Sequence, residues 1–558
     1  MLLGFTVKVT GTVAELFLPL ILTHILENVI STQNTERIIL FGILMVFCAG
    51  CACLFNIVAN RMAAKVSMEF SRELRRALFS RTLYLSARDT DRFTVPSLES
   101  RITTDTYNVH HFVGMMQRMG VRAPILLIGG MVISFVMDAY LATVMLATLP
   151  FIFFIVYFIS RKGVPLYTRV QSSVDDMVRV VREDAQGIRV IKALSKNEYE
   201  NKRYDRVNRS LSKEECHAGT VMGIVNPTMT MLMNLGIAGV VALCALGVAN
   251  NTSSPSTVIA FMQYFTLISM AMMTLSRVFV MYTKCAASAG RIAEVMNTPD
   301  SYFVSEDRKI RDTGSHIEMR NVSFSYFGKK NNLENISFSI GRGERLGIIG
   351  ATGSGKSTVL RLLLRFYEAD EGEILIGGRS ITSYTREELC AMFGVALQSD
   401  FLYADTIEEN IKFGRDIPRE RVVWAAKVAQ AHGFITEKEG GYGYVIAPKG
   451  TDLSGGQRQR LLIARAVASS PEILILDDSS SALDYKTDAS LRQALARELP
   501  DSTLITVAQR VSSVKDADTV IVLDEGHIIG IGRHEELLAS CPEYREISES
   551  QMGGALIE

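Results

Sequence analysis

The feature that most constrains this chain is the series of long apolar stretches in its first 285 residues. A bilayer core about 30 Å thick takes roughly 20 apolar residues at 1.5 Å of helix rise each. Six stretches meet that length: residues 2–27, 38–60, 112–137, 139–160, 219–249 and 256–283. Inside lipid a backbone must satisfy its own hydrogen bonds, so each stretch is expected to be a helix. From residue 315 onward the pattern changes to short apolar runs and amphipathic helices, as in a water-soluble α/β protein. The expected organisation is a polytopic α-helical membrane domain at 1–300, a linker at 301–315 and an α/β domain at 316–558.

The links between the apolar stretches set the orientation. Short turns are expected at Met137-Asp138-Ala139 and at Asn250 to Pro255, and the first link, Asn28 to Arg37, is also short. Residues 61–111 and 161–218 are long, charged and helix-like. The first begins with Arg61, Lys65, Arg72, Arg75 and Arg76, and the second with Arg161 and Lys162. The outer links carry only Arg37. Basic residues close to span ends stay in the cytoplasm. The long links and the C-terminal half are therefore expected there, in a multi-pass protein of a bacterial-type cell membrane. No basic region precedes the first stretch, so a cleaved signal peptide is not expected.

Composition excludes other classes. With 59 basic and 59 acidic residues, the net charge is zero, and a nucleic-acid partner held by bulk charge is not expected. Apolar residues make up 48% of the chain, too many for a disordered protein. Eight Cys in 558 residues are too sparse for a disulfide scaffold. Cys48, Cys51 and Cys53 cluster inside the second stretch with no His beside them, and are expected to be small buried hydrophobes.

The chemistry is concentrated in the second half. Gly350-Ala351-Thr352-Gly353-Ser354-Gly355-Lys356-Ser357-Thr358 follows an apolar strand pattern and precedes a helix pattern. That is a P-loop in the context it needs: glycines let backbone N–H groups close on phosphate oxygens at a helix N-terminus. Lys356 is placed to reach the β- and γ-phosphates, and Ser357 to ligate Mg²⁺. A second motif, Ile473-Leu474-Ile475-Leu476-Asp477, is an apolar strand ending in a carboxylate, a Walker B with Asp477 as the Mg²⁺ carboxylate. The spacing lets both motifs lie on neighbouring strands of one sheet.

Between them stands Leu453-Ser454-Gly455-Gly456-Gln457. An L-S-G-G-Q between a Walker A and a Walker B resembles the ATP-binding cassette (ABC) proteins. Six spans ahead of one cassette resemble an ABC exporter half-transporter, over nearly the whole chain. The resemblance implies an α/β P-loop ATPase domain with a helical subdomain, working in pairs with ATP and Mg²⁺. It implies adenine stacking by Tyr326, a Q-loop glutamine at Gln398 that also approaches Mg²⁺, and a D-loop at Ser481 to Asp484. It implies that Ser454, Gly455, Gly456 and Gln457 complete the partner's ATP site. Tips of the long cytoplasmic links are then expected to dock on the cassettes, with candidates at Arg88 to Glu99 and Leu194 to Glu200.

Four departures matter. After Asp477 the family usually has a water-positioning glutamate, and this chain has Asp478. Asp is one methylene shorter, and a misplacement of about 1 Å can cost 10²-fold in rate. The family's A-H-R segment is here Ala508-Gln509-Arg510, and Gln carries no imidazolium charge. Both changes fall on the chain's own site, while the donated L-S-G-G-Q is intact. That combination resembles the degenerate-site subunit of a heterodimeric multidrug-type exporter, whose partner half-transporter supplies the Glu and His. Third, Pro448 in Ala447-Pro448-Lys449-Gly450 replaces a usual glutamate. Fourth, the sequence starts almost inside the first span, ahead of which the family usually has an amphipathic elbow helix; either the true start lies upstream or the elbow is absent.

Rival readings are a slowly hydrolysing homodimer, a nucleotide-gated regulatory protein, and an importer on the same fold. The cargo is left open. Met115, Met116, Met119, Met229, Met231, Met262 and Met270 either line a cavity for assorted hydrophobic compounds or, as is expected more often, face lipid or fill gaps; Arg118 and Arg122 either bind an anionic substrate or, more often, snorkel to head groups. Glu15, four residues before Pro19, is an intramembrane carboxylate of the kind that marks function.

Overall fold

The computed structural model describes residues 2–30, 33–249, 255–300, 302–306, 308–312, 314–326, 328, 330–398, 401–479 and 482–553. They divide into two compact units. The first comprises Met1–Leu83 and Thr94–Thr298, and the second Tyr84–Phe93 and Pro299–Glu558.

The first unit is all helix, because its sequence offers long apolar faces and almost no chain breaks. Leu2–His24 runs on through a π turn at Ile25–Val29. Thr35–Leu83 is one helix of 49 residues and Ala139–Ala193 one of 55. Asn197–Gly223, Val225–Ala249 and Pro255–Met296 complete the set of long helices. Among the described residues, five helical runs are long and apolar enough to cross a membrane: Leu2–Val29, Thr35–Leu83, Val95–Met137, Asn197–Gly247 and Ser256–Met296. The stretch expected at 139–160 lies in the helix Ala139–Ala193, with Ala139–Ile155 as its described apolar portion. Thr35–Leu83 and Ala139–Ala193 each run from an apolar stretch into a long link as one helix, so both project well beyond the ~30 Å apolar layer.

Asp138 makes the expected tight turn, in extended conformation (φ −156°), and its carboxylate accepts from the Tyr140 and Leu141 N–H groups at 2.9 and 3.1 Å. Such an acceptor caps the orphan donors of the next helix. The turn expected at Asn250 to Ser254 lies outside the described residues. The fifth stretch, read as starting at 219, is instead divided at Ile224 between two helices. Pro227 sits in the first turn of the second helix, where its missing N–H costs nothing.

Leu16, Ala123, Leu126, Tyr264 and Ala271 form one core cluster, and the Tyr264 hydroxyl donates to the Leu16 carbonyl at 2.8 Å. Cys48 and Cys51 are half-buried and Cys53 is exposed, which corrects the expectation of burial. Only 6% of the apolar window in that helix is buried in protein, so the cysteines lie on a surface that suits lipid.

The second unit holds two sheets. β1 (Ile317–Phe324), β2 (Leu333–Ile340), β4 (Glu371–Ile376) and β5 (Arg379–Ser380) form an antiparallel sheet in the order β2-β1-β4-β5. The second is ordered β10-β9-β3-β8-β7-β6, with β3 Arg345–Gly350, β6 Phe393–Ala396, β7 Ile473–Asp477, β8 Thr503–Val507, β9 Thr519–Asp524 and β10 His527–Gly532. Its strands are parallel except for β10 at the edge. The two nucleotide motifs therefore share one sheet but are not on neighbouring strands. β8 lies between β3 and β7 and pairs with both. Its alternating buried positions, Thr503, Ile505 and Val507, fill that central slot.

A separate core of Leu402, Ile407, Val422, Ile435, Leu461, Ile463 and their neighbours belongs to the helical region between β6 and β7. The short helix Ala87–Phe93 belongs to this second unit. Asp91 accepts from the Tyr367 hydroxyl, and Ala87 packs on the core that contains Phe324 and Tyr367. Of the expected docking segments, Arg88–Phe93 thus lies against the cassette, whereas Thr94 to Glu99 and Leu194 to Glu200 belong to the first unit. Residues 194–199 are exposed.

Candidate nucleotide site

The P-loop leaves β3 at Gly350 and ends at the helix Lys356–Leu363. Two of its glycines are required by shape. A Cβ on Gly350 would lie 2.1 Å from the Leu523 carbonyl oxygen, and Gly355 has φ +103° with Leu333 at 2.7 Å from the same position. Ala351, Thr352 and Gly353 form the exposed crest of the loop. Lys356 curls back over it, donating to the Gly350 and Ala351 carbonyls at 2.8 and 2.7 Å. Burial pulls its pKa below the usual lysine value, against the opposing pull of Asp477 and Asp478. The Ser354 hydroxyl is buried in this loop without a hydrogen-bond partner. An orphaned donor costs free energy unless something fills its place, and a phosphate oxygen is such a group.

Although one strand apart, β3 and β7 bring their motifs into contact. The Ser357 hydroxyl donates to Asp477 Oδ2 at 3.3 Å. A hydroxyl beside a carboxylate is a hard-oxygen pair that suits Mg²⁺, which takes its remaining ligands from phosphates and water. Asp477 is 5% exposed, and burial raises its pKa above the usual carboxylate value.

Asp478 has a left-handed backbone (φ +48°), its N–H donating to the Val507 carbonyl at 2.8 Å. Gln398 Nε2 donates to Asp478 Oδ2 at 3.1 Å. Burial raises the Asp478 pKa too, opposed by the Gln398 hydrogen bond and by the charges of Arg510 and Lys356. The structure thus gathers Lys356, Ser357, Asp477, Asp478 and Gln398 in one place. Gln509 is exposed just past β8, its carbonyl accepting from Gln551 Nε2 at 2.9 Å.

Tyr326 donates to the Thr358 hydroxyl at 3.3 Å and accepts from Arg361 Nη1 at 3.0 Å. Its ring meets Phe324 and Tyr367 edge-on, with centroids 4.8 and 5.0 Å away. The sequence reading missed Arg361. Its signal was the i,i+4 spacing from Ser357, which puts both on one helix face.

Ser454 to Gln457 are placed elsewhere, at the start of the helix Gly455–Val467. They form a capping box: Ser454 Oγ accepts from the Gln457 N–H at 3.2 Å, and Gln457 Oε1 from the Ser454 N–H at 3.1 Å. Gly455 is exposed at the first helical position. Asp484 caps Tyr485–Glu498 through Thr487, N–H and hydroxyl, at 2.9 and 2.8 Å. Ser481 lies outside the described residues.

Residues 1–272 match the family model of the ABC transporter transmembrane region, and residues 333–481 match the ABC transporter family model. An uncharacterized ABC transporter ATP-binding protein of Mycobacterium tuberculosis is 32% identical over 557 residues, covering 99% of this chain and 95% of that protein. The chain belongs to the ABC transporter family. An uncharacterized ABC transporter ATP-binding protein of Bacillus subtilis is also 32% identical, over 99% of this chain and 96% of its own length. The fold matches the solved structure of a bacterial Atm1-family ABC exporter with ATP bound, at a TM-score of 0.83 and 24% identity, over 98% of this chain and 96% of that one. This ABC transporter chain is a multi-span membrane protein whose membrane region is fused to an ATPase domain of the kind that binds ATP.

Proposed function

We propose that this chain is one half of a heterodimeric ABC exporter, with an own ATP site that binds nucleotide but hydrolyses it poorly. The observation that carries the reading is Asp478. Its short carboxylate is tied to Gln398 and rooted in a left-handed backbone. Its reach toward an attacking water falls one methylene short of a glutamate's. Gln509, in place of histidine, adds no charge beside it.

In this reading the membrane domain spans 1–300, a linker 301–315, and the cassette 316–558. Gly350 to Thr358 cradle the triphosphate. Lys356 leaves its two loop carbonyls to pair with the β- and γ-phosphates. Ser357 and Asp477, with Gln398 nearby, hold Mg²⁺, whose charge offsets that of the phosphates when bound. Tyr326 packs on the adenine. Ser454, Gly455, Gly456, Gln457 and Asp484 serve the interface with a partner half-transporter, where Ser454 and the exposed helix start present donors to the partner's γ-phosphate. The partner carries the catalytic Glu and His, and the pair moves its cargo outward.

The test is steady-state ATPase activity of the purified chain with its oligomeric mass measured in the same sample. A verified homodimer is expected to turn over slowly. Robust turnover by that homodimer would overturn the degenerate-site reading. Azido-ATP should still label the chain, and Lys356→Ala should weaken the labelling.

A further inference from the structure

The membrane domain contains a group of charges that nucleotide chemistry leaves unused. Lys8, in the first span, is 4% exposed, and its ammonium donates to Asn56 Oδ1 at 2.7 Å and Asn60 Oδ1 at 3.2 Å. Both acceptors are neutral. Arg122 holds the Glu15 carboxylate through Nη2 at 2.5 Å and Nε at 3.2 Å. Arg122 is therefore turned to a protein partner, which corrects the expectation that it snorkels. Arg118 Nε donates to the Gly114 carbonyl at 3.1 Å, again a neutral acceptor. Lys8 and Glu15 stand two helical turns apart on one face of the first span, and Arg118 precedes Arg122 by one turn, so the Glu15–Arg122 pair draws the four groups into one region. Among them are three cations and one carboxylate.

An excess of positive charge in a membrane segment is costly unless something compensates it. Lys8 is buried among protein groups, not turned out to the surface as a snorkelling lysine would be. The local backbone is also unusual. Met116–Gly120, which contains Arg118 and ends two residues before Arg122, is a π turn, and π turns recur at functional sites. Gln117 in that turn has a buried Nε2 donor with no hydrogen-bond partner. The region is thus rich in donors and poor in acceptors, the complement of a carboxylate or phosphate. Met116 and Met119 in the same turn are 39% and 43% exposed, a deformable apolar surface beside the charges.

We propose that Lys8, Arg118 and Arg122 bind the acidic head group, carboxylate or phosphate, of an amphiphilic cargo whose apolar body lies against the Met116–Met119 surface. The proposal rests on the transporter reading above and names the cargo class for it.

The experiment uses the full chain in phosphatidylcholine nanodiscs. Four probes are compared: a radiolabelled long-chain fatty acid, a long-chain alkyl phosphate, a long-chain trimethylammonium, and inorganic phosphate. The two anionic amphiphiles should bind saturably, and which binds tighter identifies the head group. Arg118→Gln should weaken both at least about tenfold, the scale of one charge-assisted hydrogen bond. Arg118→Lys should retain most of the affinity, and Arg189→Gln, an exposed cation on a cytoplasmic helix, should change nothing. A diazirine fatty acid should crosslink wild-type protein within residues 112–137, a readout that needs no variant to fold. Equal binding of the trimethylammonium probe, wild-type affinity in Arg118→Gln, saturation by inorganic phosphate alone, or crosslinks confined to other helices would each overturn the proposal. Azido-ATP labelling of the same wild-type sample keeps the two readings apart. Its absence would unseat the transporter assignment, whereas lost anion selectivity with labelling intact would unseat only the cargo site.

Discussion

At the scale of single residues, Asp477 and Asp478 pull stability and function in opposite directions. Burial raises the pKa of both. A carboxyl with a raised folded pKa binds its proton more tightly folded than unfolded. Its stabilising share is therefore full below the unfolded value and is lost as pH rises through the folded one. At neutral pH the ionised pair burdens the nucleotide-free protein. Asp477→Asn is expected to raise the melting temperature at pH 7 by a few degrees, as strained sites often allow. The gain should shrink as pH falls through the raised folded value toward the ordinary carboxylate range, as wild type takes up protons. Thermal melts across that range measure it, together with loss of Mg²⁺-dependent ATP labelling. A lower melting temperature at pH 7 would show that the Ser357 hydrogen bond outweighs desolvation. The partner change is Asp478→Glu with Gln509→His, which lengthens the carboxylate and restores a titratable ring. ATPase activity of a homodimer so changed is expected to rise at least about tenfold, from the sensitivity of rate to ångström placement. An unchanged rate would locate the deficit elsewhere.

At the scale of elements, legibility tracked how local the signal was. The P-loop, with its strand before and helix after, is written in consecutive residues, and the structure brings Lys356 and Ser357 to Asp477. Long helices were legible because apolar run length reports them directly. The π turns at Arg101–Asp105 and Met116–Gly120 were not, since one extra residue per turn leaves no mark in composition. Nor was the place of β8 between β3 and β7, because strand order depends on crossovers and not on any strand's own residues. The Glu15–Arg122 pair spans 107 positions, and residue spacing says nothing about such a contact. The L-S-G-G-Q segment forms a capping box in the structure and, in the proposed reading, also serves a partner. Ser454→Ala removes the N-cap of Gly455–Val467 and should cost about 1 kcal/mol. A cassette of that size should then melt about 2–4 °C lower. Ser454→Asn keeps a capping oxygen and should melt as wild type. Melting both variants of the full chain measures the capping role apart from any role toward a partner's phosphate.

At the scale of the whole molecule, the cassette carries two chemical surfaces that are expected to matter unequally. One is its own P-loop site, with Asp478. The other is the start of Gly455–Val467, which in the proposed reading completes a partner's site. Gly455 is a clean place to separate them. It is exposed, and a Cβ there meets Ala482 only at an ordinary 3.7 Å. A glutamate at the first helical position even suits the helix dipole. Gly455→Glu should therefore fold normally, yet place a negative charge and a side chain where the partner's γ-phosphate approaches the backbone. Loss of one preorganised donor costs about 10²-fold or more in rate. Heterodimer turnover should fall at least that far. In the proposed reading Asp478 belongs to the slow site, so Asp478→Asn should lower total ATPase activity only modestly while ATP still binds there. The comparison is steady-state ATPase of the two variants, each assembled with an unmodified partner and checked for mass and melting temperature. Abolished turnover in Asp478→Asn with normal turnover in Gly455→Glu would reverse the division of labour. Equal loss in both would mean that the two sites hydrolyse as a symmetric pair, and the homodimer reading would take its place.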